Sequence, residues 1–442
     1  MKSGSLVSTP LLLSLLFAAV VRPTQAQSKE GGEATRPRSV SASPTQGQQR
    51  LPQTVPPQST NQQPPQKTVP TNLPAVRTAS PGSGGAADAQ ADALVVSRPL
   101  PELTPQSIRA RIAEAERLFK THPVPTALTK AIDVVTLAFL DRRNGHIHQV
   151  SLSKQTFLTK GAEIAMTSSL GTPVTIQVVR ANGVNTAVTV FDNTGTSMLP
   201  LLVEFPIEKG GVFRELAYYT SAHPALLSNE LARSGQLYVR TMLDLSAKRL
   251  REKGVFISPP IVDVAERLCL IEHVDHDRFR LENRAALFQE VYSLFALNQL
   301  NTYRYSVSSA GAGGMVQMIP WAYNLMRQRH PGVGLTQDFV TGMRNHTNAL
   351  EAMLLYMHDT WSDLAANEDV QSALTNKTAS QTELLAAGYN SNAARLPSYL
   401  RRGGSGWRTL IPRETQMYLQ IYKNFEALMP IKPRANGVAQ VE

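Results

Sequence analysis

The chain has 442 residues, a net charge of +10 and a single cysteine, Cys269. One cysteine excludes an intrachain disulfide, so the folded part must be stabilised by packing whatever its compartment. The basic excess indicates a polyanionic partner, and nucleic acid is the most common one.

The first residues have the three-part layout of a secretory signal peptide. Lys2 precedes an apolar run from Leu11 to Val21, and Thr24-Gln25-Ala26 supplies the small residues that signal peptidase requires. The run is too short to span a bilayer comfortably, although an uncleaved N-terminal anchor is the alternative. We therefore predict that residues 1–26 are a signal peptide and that the protein is exported to the periplasm or cell envelope. Export argues against nucleic acid as the partner.

Residues 27–100 are rich in Pro, Gln, Ser, Thr and Gly and nearly free of aromatic side chains. Such a segment cannot bury enough apolar surface to offset the entropy of ordering it. Proline-rich stretches such as Pro56-Pro57 keep a chain extended. The composition therefore predicts a disordered tether.

Residues 101–215 are expected to form a small β-rich module with a helical lead-in near 107–119. Between Ile132 and Pro206, β-branched and polar residues alternate in short runs, separated by turn sequences such as Asn144-Gly145. This pattern predicts short antiparallel strands. Because no residues in the module have catalytic spacing, we interpret it as a spacer or a binding domain. Other cell-envelope proteins are expected to bind through this module or through the tether.

Residues 216–430 have helical periodicity, and residues 431–442 are expected to be a tail. Ser258 is a good N-cap, and Pro259 and Pro260 suit a first turn that needs no amide donors. The pattern predicts a mainly α-helical domain, with long helices at 224–251, 260–273, 284–298, 345–361 and 412–428.

Glu272 is the strongest candidate for a functional carboxylic acid. On a helical wheel it falls within the apolar stripe marked by Val264 and Leu268, near the C-terminal end of its predicted helix. Burial and the negative end of the helix dipole both favour the neutral form, which a general acid requires at neutral pH. The alternative is a buried structural Glu. Three charged residues of the same helix are expected to face solvent: Asp263, Glu266 and Arg267.

Three stretches downstream resemble the motifs of one enzyme family, the lytic transglycosylases. Gly311–Pro320, with the sequence GAGGMVQMIP, is similar to their Gly-Ala-x-Gly-Leu-Met-Gln-x-x-Pro signature. Ala386–Asn390 resembles their Ala-Tyr-Asn motif, and Ile411–Thr415 followed by Tyr418 resembles their Leu-Pro-x-Glu-Thr-x-x-Tyr ending. The motifs occur in the family's order, which implies a lysozyme-like fold for the helical domain.

The resemblance also implies a specific chemistry. In that family a lone Glu, here Glu272, protonates the glycosidic oxygen between N-acetylmuramic acid and N-acetylglucosamine. The same residue then acts as a base while the muramyl C6 hydroxyl closes a 1,6-anhydro ring. No metal or organic cofactor is needed, and the partner is the peptidoglycan glycan strand. The residues expected to bind this substrate are Gln317, Tyr389, Asn390, Met315 and Tyr305.

The sequence departs from the family near the acid. In the soluble-type enzymes the catalytic Glu stands shortly before the serine of the glycine-rich stretch, where this chain has Asn298 and Gln299. In the B-type membrane-bound enzymes the Glu precedes a similar loop by several tens of residues, and Glu272 precedes Gly311 by 39. His273 also stands where the family usually has Ser or Thr after the Glu.

Two alternatives stay open at this point. In the first, Asn298 and Gln299 mark a lost acid, and the protein is a catalytically inactive peptidoglycan-binding scaffold. In the second, a divalent metal binds at the end of the predicted helix. The spacing there matches no standard zinc motif, and an exposed polar helix end explains equally well the residue types that motivate it: Glu272, His273, Asp275, His276 and Asp277.

Overall fold

The computed structural model describes residues 103–435, apart from residues 125 and 129. The predicted signal peptide (1–26), the predicted tether (27–100) and the end of the predicted tail (436–442) lie outside the described residues. Among the helices of the described part, none has both the length and the apolar character needed to cross a membrane. The described chain is mainly helical, and its helical part follows an antiparallel sheet, as the sequence predicts.

A seven-stranded antiparallel sheet forms the N-terminal part of the described chain. Helix α1 (Pro105–Thr121) precedes it, with the side chain of Thr104 as its N-cap, and the short helix α2 (Lys154–Phe157) lies between its second and third strands. The strands are β1 (Val134–Leu140), β2 (Ile147–Ser153), β3 (Glu163–Thr167), β4 (Pro173–Arg180), β5 (Ala187–Asp192), β6 (Ser197–Lys209) and β7 (Val212–Tyr219).

The sheet curves until its two edges nearly meet. Its order is β2-β1-β6-β5-β4-β3, and β7 pairs with the second half of β6. The long strand β6 allows this because its first residues pair with β5 and its later residues with β1 and β7. At the two edges, the amide of Ser169 donates to the carbonyl of Gln149 at 2.9 Å. The predicted antiparallel strands are confirmed, and they extend to Tyr219, past the predicted boundary at 215.

The helical part contains α3 (Asn229–Glu252), α4 (Pro259–Ile271), α5 (His276–Leu281), α6 (Arg284–Asn298), α7 (Pro320–Arg329), α8 (Phe339–Arg344), α9 (His346–Ala365), α10 (Glu368–Thr375), α11 (Gln381–Asn390), α12 (Leu396–Gly403) and α13 (Arg413–Leu428). The five predicted helices correspond to α3, α4, α6, α9 and α13. The remaining ones are short, so their periodicity is difficult to recognise in the sequence.

Helix α4 lies at the centre of this part, in contact with α3, α6, α9, α11 and α13. It begins as predicted with Pro259 and Pro260 in its first turn, although the side chain of Ser258 makes no capping hydrogen bond. Because other helices surround it, α4 is buried around most of its circumference rather than along one stripe. The predicted solvent-facing side is therefore wrong. Glu266 is 0% exposed.

The described part of the C-terminal tail accounts for much of this difference. Arg434 binds Glu266 at 2.6 Å and Asp263 at 2.8 Å, and it also binds Asp244 on α3 at 2.6 Å. On the same helix, Arg267 pairs with Glu426 of α13 at 3.1 Å. Buried charges need partners of opposite charge. Here the partners come from segments distant in the sequence, which a helical wheel does not reveal.

Candidate active site

Glu272 stands at the C-terminal end of α4, with its carboxyl directed towards α13. The hydroxyl of Tyr418 donates a hydrogen bond to Oε1 of Glu272 at 2.6 Å. Burial raises the pKa of Glu272 to about 8; the Tyr418 hydrogen bond opposes this rise, and the charge of Glu414 adds to it. The residue nevertheless keeps partial exposure to solvent. At neutral pH the carboxyl is therefore protonated, on a residue that is in part exposed.

Tyr418 and Glu414 lie one turn apart on α13, so their side chains share the face of the helix that turns towards α4. Burial, followed by the charge of Glu272, raises the pKa of Tyr418 well above its ordinary value. Its hydroxyl therefore remains a hydrogen-bond donor. Sequence reasoning located both residues in the third motif without recognising either as a neighbour of the acid, and the motif itself was the only signal.

The glycine-rich stretch forms a compact loop over residues 306–318. It is closed by β-bridges from Gly313 to Val307 and to Met318. Gly314 has a φ of 70°, and a Cβ at this position would lie 2.4 Å from the carbonyl oxygen of Met343 on α8. Glycines in such a loop commonly let the backbone approach a ligand closely. At Gly314 the backbone instead approaches helix α8.

Two consecutive carbonyls of this loop accept hydrogen bonds from side chains beside Glu272. Nε2 of His273 lies 3.0 Å from the carbonyl oxygen of Met315. The hydroxyl of Tyr389, on α11, donates to the carbonyl oxygen of Val316 at 2.6 Å. A carbonyl can only accept, so the hydrogen of the His273 ring is on Nε2. Burial lowers the pKa of His273 to about 3, which keeps the ring neutral.

The three motif segments meet around Glu272. The loop contacts His273, the residue that follows Glu272, and α13 supplies Tyr418. Helix α11 supplies Tyr389, whose pKa is raised by burial and then by the charge of Glu272.

No family model, curated protein or solved structure matches this chain. Function is therefore inferred from the residues and their arrangement.

Gln317 has a left-handed backbone, with a φ of 46°. For a residue with a side chain this conformation costs on the order of 1–2 kcal/mol, and such residues are common in binding sites. Its Nε2 donates to the carbonyl oxygen of Gly314 at 2.8 Å and lies 3.3 Å from Oγ of Ser306. The side chain is partly exposed, so contact between Gln317 and a substrate stays a prediction.

Two further predicted substrate-binding residues differ in outcome. Met315 is wrong as a side-chain contact, because the residue is 0% exposed and packs in the main core. Only its carbonyl is directed towards His273. Asn390, the last residue of α11, is partly exposed, and its buried Oδ1 has no hydrogen-bond partner among the described residues. Its contact with substrate stays a prediction.

Tyr305 lies where the sheet meets the helices. The guanidinium of Arg344, on α8, stands 4.9 Å from the centre of its ring, and its hydroxyl pairs with Glu215 of β7. Arg344 also binds Glu215 directly at 2.8 Å. These contacts explain the position of Tyr305 by packing between β7 and α8. They do not associate it with Glu272, and a role in substrate binding stays a prediction.

The neighbourhood of Asn298 also has an explanation in packing. Oδ1 of Asn298 accepts from the amide of Thr220 at 2.7 Å, and Nδ2 donates to the carbonyl of the same residue at 2.9 Å. Asn298 thereby joins the end of α6 to the end of the sheet. Gln299 follows as an exposed residue with a φ of 45°. Both polar atoms of the Asn298 side chain thus have hydrogen-bond partners, so packing explains this residue without a lost acid.

The proposed metal ligands are not arranged as a cluster. Within residues 103–435, leaving aside 125 and 129, no group of three or more His, Cys, Asp or Glu side chains is positioned to hold a metal ion. His273 is directed to the loop carbonyl, and Asp275 caps α5 by accepting from the amides of Asp277 and Arg278 at 2.9 Å. These two residues thus have partners other than a metal.

Proposed function

We propose that this protein is a peptidoglycan lytic transglycosylase with Glu272 as its single acid and base. The observation that carries the proposal is that three distant motif segments meet around one residue, Glu272, and that burial raises the pKa of its carboxyl to about 8. General acids that work near neutral pH need this protonated state. A lysozyme-like fold for the helical part belongs to the same proposal, as does the substrate, a glycan strand of alternating N-acetylmuramic acid and N-acetylglucosamine.

The chemistry proceeds in two steps on one carboxyl. Protonated Glu272 donates its hydrogen to the glycosidic oxygen, the bond from muramyl C1 to that oxygen breaks, and N-acetylglucosamine leaves with a free 4-hydroxyl. The muramyl C6 hydroxyl then attacks C1, and the Glu272 carboxylate removes its proton. The product is a 1,6-anhydromuramyl end, the acid is regenerated and no water is consumed. Tyr418 holds Oε1 of Glu272, which leaves Oε2 for the substrate.

Export is part of the proposal, because peptidoglycan lies outside the cytoplasm and residues 1–26 have the layout of a signal peptide. The net charge of +10 suits a substrate whose stem peptides carry carboxylates. The sheet offers a second surface for other envelope proteins. No metal or organic cofactor enters the reaction.

The test is mass spectrometry of the muropeptides that the full chain releases from purified peptidoglycan. We expect fragments that end in 1,6-anhydromuramic acid. Fragments with reducing ends, each carrying one added water, would show a hydrolase and contradict the transglycosylase proposal. Retention on insoluble peptidoglycan without released fragments would instead identify a binding scaffold. Activity that a chelator removes and zinc restores would overturn the metal-free mechanism.

A further inference from the structure

We propose that His273 is a positioning residue, which holds the loop of residues 311–318 against the end of α4 by donating its Nε2 hydrogen to the carbonyl of Met315. The inference rests on the proposed function, because the loop it positions is the one expected to contact the glycan. His273 is also the residue at which this chain departs from the family's usual Ser or Thr. The role assigned to it therefore belongs to this chain's own residues.

The first argument is the short path between the acid and the loop. His273 follows Glu272 directly, so a single peptide unit joins the residue that carries the acid to the residue that carries the hydrogen-bond donor. Both residues directly follow α4, a helix whose side chains are largely buried, which fixes their position. A 3.0 Å hydrogen bond from Nε2 then fixes the carbonyl of Met315 relative to Glu272. The hydrogen bond thereby fixes the position of the loop relative to the acid.

The second argument is that the His273 ring cannot turn freely. It stacks on the ring of Tyr303 with centroids 3.4 Å apart and an angle of 2° between the planes. The edge of Phe295 lies against it, with ring centroids 6.5 Å apart. Tyr303 is itself buried in the core. A ring packed against two aromatic neighbours keeps its N–H aimed at one point, which a flexible donor would not do.

The third argument concerns Gln317. Tyr389 holds the next carbonyl, that of Val316, at 2.6 Å, so two consecutive peptide units are fixed just before the left-handed residue Gln317. Strained backbone persists only where its surroundings over-determine it. Without the His273 hydrogen bond, this part of the loop can relax, and Gln317 loses its fixed direction. The effect should appear in kcat, because misplaced groups weaken transition-state contacts.

The test uses a matched pair of variants, His273→Gln and His273→Met. The two new side chains are similar in length and flexibility, but only Gln can donate to the Met315 carbonyl. Loss of one hydrogen bond corresponds to about a tenfold change in rate. We expect His273→Met to lower kcat by about tenfold and His273→Gln to recover most of this loss. Equal kcat values in the two variants would overturn the proposal.

His273→Phe separates the hydrogen bond from the ring, since Phe keeps an aromatic ring to stack on Tyr303 but has no donor. We expect its kcat to fall as in His273→Met. In a double-mutant cycle with Gln317→Ala, the two changes should be far from additive, because they act through the same loop. Independent, additive losses would show that His273 does not act through Gln317, and would overturn the proposal.

Amide hydrogen exchange measures the loop directly and does not depend on activity. We expect residues 311–318 to exchange faster in His273→Met than in the wild type and in His273→Gln, while the amides of α9 keep their protection. Unchanged exchange in the loop would overturn the positioning role. If the wild type releases no anhydromuropeptides, the proposed function fails, yet the exchange experiment still decides whether His273 holds the loop.

Discussion

Two carboxyls on the same helix differ in what surrounds them. Glu266 is 0% exposed and lies between two guanidinium groups, Arg434 at 2.6 Å and Arg240 at 3.1 Å. Glu272, at the end of the helix, has one neutral donor, the hydroxyl of Tyr418 at 2.6 Å. Burial raises the pKa of both carboxyls. At Glu266 the two arginines oppose that rise, whereas at Glu272 the nearby charge of Glu414 adds to it.

The difference shows how one helix supports two uses of a buried carboxyl. With two cationic partners, Glu266 joins α3, α4 and the C-terminal tail through ion pairs, and such a group is structural. With only a hydroxyl donor, Glu272 has a pKa of about 8, so its carboxyl is protonated at neutral pH, as the proposed general acid requires. Burial alone therefore does not distinguish the proposed acid from a structural carboxyl. The partner of the carboxyl does.

The largest expected effect follows from Glu272→Gln. The amide keeps the shape and can still accept from Tyr418, but it has no ionisable proton to transfer, so turnover should fall by at least about 100-fold. The measurement is the release of anhydromuropeptides by the purified full chain. Glu230→Gln, at an exposed position on α3, is the matched control and should retain activity. Near-normal turnover in a folded Glu272→Gln variant would refute the assignment.

The same variant also tests the linkage between pKa and stability. The pKa of Glu272 in the folded protein, about 8, lies above the ordinary value of 4.5, so the fold favours the neutral carboxyl. Its stabilising contribution is present below pH 4.5 and is lost as the pH rises through 8. Gln cannot ionise, so Glu272→Gln should be at least as stable as the wild type at pH 9. A clearly lower melting temperature there would contradict this account of burial.

The second effect belongs to the structural carboxyl. Arg434→Ala removes one partner of a fully buried Glu266 and also releases Asp263 and Asp244. Because Arg240 still pairs with Glu266, we expect a loss of about 2–4 kcal/mol in the free energy of unfolding. Denaturant titration measures it. Arg280→Ala breaks an exposed ion pair with Asp277 and should cost at most about 1 kcal/mol. Equal losses in the two variants would show that the Arg434 contacts add nothing.

The same comparison shows what the sequence can reveal. Local periodicity predicted α6 with its observed bounds and gave Glu272 the correct direction, because both depend on neighbours within a few turns. It failed for Glu266, whose partner Arg434 lies 168 residues away. The similarity to the family signature likewise placed Met315 among the predicted substrate-binding residues, although its side chain is buried. Contacts with residues distant in the sequence determine whether such side chains are buried, and a single sequence does not reveal these contacts.

The third prediction sharpens the role of the hydroxyl donor. Activity of the wild type should fall above pH 8, where Glu272 loses its proton. The Tyr418 hydrogen bond lowers the pKa of Glu272, so Tyr418→Phe should move this fall to higher pH. Turnover at pH 7 should drop by about tenfold because the acid is no longer oriented. Tyr422→Phe, one turn further along α13, is the control and should leave the pH profile unchanged.

The smallest effect is expected at Glu414, and it has the opposite sign. The charge of Glu414 raises the pKa of Glu272, so Glu414→Gln should lower that pKa and move the fall in activity to lower pH. Because the two groups interact at a partly solvated position, the activity lost at pH 8 should be only about twofold. Glu426→Gln removes the same charge from the same helix, where it pairs with Arg267 at 3.1 Å, and should not move the profile. A shift in the same direction for Tyr418→Phe and Glu414→Gln would mean that both act through the packing of α13 rather than on the Glu272 proton.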